Sequence, residues 1–138
     1  MSTAYNPPDL WQPFGAFSHL QIMGEGRVVH LKGQVALDRD GNVVGAGEMR
    51  AQVRQVLENI RAALAAIGGE MRDIVSLTQY VTYIDAFMQA GDIRKAYFIE
   101  PYPVTTTVQV TRLYHPDLVV EITAIAEVPR DRFRAPGS

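Results

Sequence analysis

Between Glu48 and Ile67 the apolar side chains Val53, Val56, Leu57, Ile60, Ala63, Leu64 and Ile67 recur at intervals of three and one. That stripe covers one side of a helix only, so the helix has to be laid against something flat and cannot be wrapped by core on all sides. Gly68-Gly69 closes the segment, because glycine takes the left-handed conformation that ends helices. With 138 residues, the chain has material for about one domain and one core.

The remaining segments read mostly as strands. Ala16 to Met23 and Arg27 to Leu37 flank Gly24-Glu25-Gly26, which predicts a first β-hairpin. Asp38-Arg-Asp-Gly-Asn42 is a turn, and Val43-Val44 a possible short strand. Ile74 to Ile84 is rich in β-branched and aromatic residues and predicts a strand. Asp85 is placed to cap a second helix carrying Phe87, Ile93, Tyr97 and Phe98, which stops before Pro101 and Pro103. Val104 to Leu113 and Leu118 to Val128 read as two strands joined by a hairpin turn at Tyr114-His-Pro-Asp117.

The order ββ(β)αβαββ predicts an α+β fold, one mixed sheet with two helices packed on one face. Residues 1–138 are read as a single domain, with residues 1–13 as an N-terminal arm and residues 130–138 as a flexible tail. The strand from Val104 sets Val104, Thr106, Val108 and Val110 on one side and Thr105, Thr107, Gln109 and Thr111 on the other. The side left uncovered is then semi-polar, suited to a wetted subunit interface or a site.

Charge and residue usage exclude several functions. Thirteen basic against fifteen acidic residues give −2, so no positive excess drives nucleic-acid binding. Cysteine is absent, which removes disulfides, thiolate metal sites and thiol nucleophiles. No apolar run approaches the roughly 20 residues of a membrane span, and the first residues lack a signal-peptide pattern. A cytoplasmic location is the expectation. Asp38-x-Asp40-x-Asn42 has its glycine too early for a calcium loop, and His19, His30 and His115 share no metal-ligand spacing, so no metal site is expected.

Glu121 stands out, because it interrupts Leu-Val-Val-Glu-Ile-Thr-Ala-Ile-Ala, a strand apolar enough to be central. A carboxylate buried there without partners costs several kcal/mol. Lys32, directly before Gly33-Gln34, is the other unusual position.

From about Phe14 to Val128 the chain resembles the Rid family of reactive-intermediate deaminases, also called the YjgF family. The marks are Gly33-Gln34, Asp40-Gly41, Gln52…Leu57-x-Asn59-Ile60…Leu64…Gly68, Asp73-Ile74-Val75, Phe87, Tyr97-Phe98, Pro103, Val108 and Val110, Leu113, and Val120-Glu-Ile-x-Ala-Ile-Ala126. The resemblance implies a chorismate mutase-like fold, a homotrimer, and small-molecule clefts between subunits. It also implies hydrolysis of an enamine or imine by water attack on C=N, without a cofactor. Glu121 would then orient or activate the water. Phe17, Lys32, Gly33, Thr105, Thr106 and Thr107 would line the substrate.

Three positions depart from the family pattern. Thr105 replaces the arginine that grips the substrate carboxylate, Phe17 replaces a tyrosine, and Lys32 replaces a serine. A hydroxyl offers one neutral bond where a guanidinium offers two charge-assisted ones. The loss should cost about 2–4 kcal/mol, or roughly 30- to 1,000-fold in turnover of a small 2-imino acid. The chain is therefore not expected to be a standard 2-aminoacrylate deaminase. Lys32 is expected either to take over anion binding or to pair with Glu121. The alternative is a trimer of the same fold that binds a metabolite or partner protein without catalysis. A ribonuclease reading is disfavoured by the acidic charge balance.

Overall fold

The computed structural model describes residues 1–137. Its elements are β1 (Thr3–Tyr5), β2 (Leu20–Ile22), β3 (Arg27–His30), α1 (Met49–Ala65), a 3-10 turn (Met71–Asp73), β4 (Ile74–Val81), α2 (Ile84–Gln89), α3 (Gly91–Tyr97), β5 (Val104–Gln109) and β6 (Val120–Val128). The fold is α+β, as expected. Four strands form one mixed sheet in the order β3-β6-β4-β5, while β1 and β2 form a separate two-stranded ribbon.

The amphipathic stripe lies where its spacing predicts. Met49, Val53, Val56, Leu57, Ile60 and Leu64 of α1 are buried, against Leu77 and Val81 of β4 and Val120, Ile122, Ala124 and Ala126 of β6. Ala63, read as part of the stripe, is exposed, and Ile67 lies beyond the last helical turn. Gly68 takes φ +80° at the helix end, and the N–H of Gly69 returns to the Leu64 carbonyl at 2.8 Å.

Three expectations about connectivity are corrected. The segments on either side of Gly24-Glu25-Gly26 do not pair with each other: β2 pairs with β1, and β3 pairs with β6. Part of the predicted N-terminal arm thus serves as a strand. The Tyr114–Asp117 turn does not join neighbouring strands either. β5 runs parallel to β4, and β6 crosses to the far side of β4 and pairs antiparallel with both β4 and β3. A strand–helix–strand unit places its two strands side by side and parallel, so α2 and α3 set β5 next to β4. Apolar β6 takes the central position, and threonine-rich β5 takes the edge.

The single second helix is instead two, α2 and α3, broken at Ala90, whose backbone leaves the helical region just before Gly91. Glycine is the weakest ordinary helix former, which makes this the natural place for the break. Asp85 falls in the first turn of α2 and not at its cap, which is Tyr83. In the predicted tail, Arg132 donates from Nη1 and Nη2 to the two carboxylate oxygens of buried Asp73, at 2.9 and 2.6 Å.

Gln52 ties the pieces together. From the buried face of α1 its Nε2 donates to the carbonyls of Gly45 (2.9 Å) and Asp117 (2.7 Å), and its Oε1 accepts the N–H of Val119 (2.8 Å). It therefore satisfies the backbone where the chain enters both α1 and β6. Gln52→Leu keeps the volume but strands these groups in the core. It should destabilise the fold by about 2–4 kcal/mol. The check is a lower denaturant midpoint with an unchanged slope, read at matched protein concentration.

Candidate functional site

The segment from Trp11 to His19 is folded back onto the start of β5. The Ser18 N–H donates to the Pro103 carbonyl at 2.9 Å, and the His19 N–H donates to Asn6 Oδ1 at 2.8 Å. This brings Phe14 and Phe17, in edge contact at 5.2 Å between ring centres, over the edge strand. Between this segment, β5 and the helices α2 and α3 lies an open cleft of about 720 Å3.

Phe17, Thr105, Thr106 and Thr107 all line that cleft, so the structure brings these four expected site residues together. Thr107 is held in place, its Oγ1 accepting from Nε2 of buried Gln79 at 2.7 Å. The sides of β5 are the reverse of the sequence reading. Thr105 and Thr107 stand opposite buried Leu77 and Gln79, on the helix side, while Val104, Thr106 and Val108 stand opposite Ser76, Thr78 and Tyr80 on the uncovered side.

Glu121, Gly33 and Lys32 lie elsewhere. On β6 the buried residues alternate with half-buried ones, and Glu121 belongs to the half-buried, uncovered set, opposite Tyr80 of β4. It sits two strands from β5, about 10 Å away across the sheet, and on the opposite face from Thr105. The predicted long strand of Arg27 to Leu37 is interrupted above it. His30 pairs with Ile125, but Gln34 pairs with Ile122, so one extra residue is inserted between them. This bulge presses Gly33 onto the carboxylate. A Cβ added there would overlap Glu121 Oε2 and stand 3.1 Å from Thr123 Oγ1. Bulges are a common device for re-aiming chain next to a site. Lys32 is exposed, and among the described residues it forms no ion pair with Glu121.

Two charged cleft residues, Arg94 and Lys95 of α3, are not marked out by the sequence. Arg94 of α3 lines the wall facing the threonines, its guanidinium carbon 5.4 Å from the centre of the Phe87 ring. A signal was present: seven residues separate Arg94 from core residue Phe87, so on one helix the two share a face within about 20°. Charged residues on helices are so commonly solvated that the spacing alone did not single it out.

Sequence and structure comparisons find relatives over most of the chain. Residues 9–128 match the family model described as Endoribonuclease L-PSP. A RutC family protein of Pyrococcus horikoshii is 34% identical over 83% of this chain and 89% of its own length. The 2-iminobutanoate/2-iminopropanoate deaminase of Dermatophagoides farinae is 30% identical over 74% of this chain and 78% of its own. Among solved structures, a Rid-family protein of unknown function from Yersinia pestis superposes with a TM-score of 0.79 at 30% identity, covering 92% of this chain and 98% of the other.

The contact at Gly33 yields a prediction. Gly33→Ala should force the Glu121 side chain into a different rotamer at a cost of about 1–3 kcal/mol, leaving the fold intact. A crystal structure of the variant, together with its thermal midpoint, checks both parts.

Proposed function

The chain belongs to the Rid/YjgF family, and from that premise we propose that it is a hydrolase of the enamine/imine deaminase type, adding water to the C=N bond of a small metabolite. One observation carries this reading. The residues expected in the site fall into two separated groups, Phe17 and Thr105–Thr107 in a cleft at the β5 edge, and Glu121 with Gly33 two strands away on the uncovered face. Neither group is a complete site. A second copy laid against the uncovered face would bring its cleft to Glu121, which is what a homotrimer with clefts between subunits requires. The exposed side chains of Val28 and Val108 on that face, beside half-buried Ile125, support such covering.

The chemistry assigns few roles. Water oxygen bonds to the imine carbon, the π electrons move to nitrogen, and the water proton passes to nitrogen through Glu121. The proton of the carbinolamine hydroxyl then passes to nitrogen as the C–N bond breaks and the C=O bond forms, leaving a carbonyl compound and ammonia. General acid–base help of this kind is worth about 10²–10⁴-fold, enough for a bond already prone to hydrolysis. Thr105, Thr106 and Thr107, with the outward-facing backbone groups of edge strand β5, align the ligand. Lys32 lies outside the cleft wall of its own protomer, so any part it takes in anion binding would be toward a ligand shared with another copy. With threonine at position 105, 2-aminoacrylate is not the preferred substrate.

Ammonia release tests the proposal. Imines generated in situ from a panel of amino acids by an amino-acid oxidase, with 2-aminoacrylate alongside, are offered to the wild-type protein, Glu121→Gln and Thr105→Arg. The wild type should accelerate release from at least one imine, and Glu121→Gln should lose about 10²–10⁴-fold of that acceleration. Thr105→Arg should raise turnover of 2-aminoacrylate by at least about tenfold. A wild type that accelerates none of them, or that sediments as a monomer, overturns the proposal. Retained ligand binding without turnover would instead identify a non-catalytic binding module.

A further inference from the structure

We infer that Arg94 is the anion-binding residue of the cleft, and that the ligand is a small carboxylate. Its charged end is held on the α3 wall while its uncharged body lies against Phe17, Phe87 and the threonines of β5. The inference rests on reading this cleft as the ligand site, and it names the ligand's chemical class.

Four observations converge on it. Arg94 Nε is buried and has no hydrogen-bond partner among the described residues. Nor does any carboxylate of the described residues form an ion pair with its guanidinium, which stacks over the face of Phe87. Asp92, two residues away, is turned aside and committed to Arg50, with Nη1 and Nη2 donating to its two oxygens at 2.9 and 2.8 Å. Finally, no aspartate or glutamate lines the cleft, whereas Arg94, Lys95 and His19 do. A protein with a net charge of −2 thus places two cationic side chains, Arg94 and Lys95, and no acid along this cleft.

A half-buried guanidinium without an acid is costly, and burial pulls its pKa below the usual value. An anion entering the cleft repays that cost by meeting the planar donor fork that arginine presents to carboxylates. The threonines opposite supply neutral hydrogen bonds, and the aromatic rings supply contact for an apolar body. Loss of the family's arginine at position 105 is then a relocation of the positive charge across the cleft, which turns the ligand end for end with respect to β5.

Isothermal titration of the full-length protein with two isosteric pairs, pyruvate against pyruvamide and cinnamate against cinnamamide, tests the assignment. In the wild type at least one acid should bind about 10- to 100-fold tighter than its amide. Arg94→Met, which keeps a long side chain over Phe87, should abolish that preference while leaving amide affinity within about threefold. Arg94→Lys should keep part of it, and Arg54→Gln, altered at an exposed cation of α1 outside the cleft lining, should keep nearly all. Equal affinity for acid and amide, no binding of either acid, or a preference that survives Arg94→Met or disappears in Arg54→Gln each overturns the assignment. Should Arg94→Met fail to fold, the wild-type preference and its reduction in Arg94→Lys decide. Because no turnover is read, acid binding through Arg94 in a protein that releases no ammonia would sink the hydrolase reading and leave the anion site standing.

Discussion

Everything in this molecule depends on β6 lying between β3 and β4 with one face sealed by α1. Val120, Ile122, Ala124 and Ala126 meet the helix stripe, and period-two alternation then forces Glu121 and Thr123 to the opposite side. A one-residue slip would bury the carboxylate against α1 and expose the isoleucine. The register that builds the core is therefore the same register that sets Glu121 on the uncovered face, and core packing and the placement of this carboxylate cannot be separated.

That arrangement leaves two kinds of unfinished surface. The uncovered face of the sheet carries Glu121, Tyr80 and exposed apolar side chains, and the free edge of β5 carries the threonines. Each is poorly suited to stand alone in water: an apolar sheet face invites covering, and an open edge invites a ligand or another chain. The cleft at the edge is closed by the N-terminal segment and by α2 and α3, which approach from different parts of the sequence. Phe17, Thr105 and Arg94 thus line one cleft although they come from three separate elements of the chain. The break at Ala90-Gly91 separates the helix that anchors Phe87 in the core from the one that lays Arg94 over it.

Local physics made much of the fold legible. The α1 stripe, its glycine end, the strand character of Ile74 to Val81 and the oddity of Glu121 in an apolar strand all follow from spacing and composition. What failed was strand partnership. Gly24-Glu25-Gly26 looks like a hairpin turn from either side, but its flanking strands find better partners in β1 and β6. Tyr114–Asp117 is a good turn that does not return the chain to the strand it left. Turn residues report that the chain reverses; they carry no information on which strand it joins afterwards. The face of β5 is ambiguous for a related reason: its alternation of valine and threonine is too weak to say which side meets the helices, and register with Leu77 and Gln79 settles it.

The sequence by itself determined the class of fold, the helix that seals the sheet, and the position of a carboxylate on an otherwise apolar strand, because each is set by periodicity within a few consecutive residues. Only the tertiary structure decided that Glu121 and Thr105 lie on opposite faces of one sheet, that a bulge presses Gly33 onto the carboxylate, and that Arg94 stands across from the threonines. These are long-range placements. They arise from the competition among strands for partners and from the crossing of a helix over a sheet, and no local pattern of side chains encodes either.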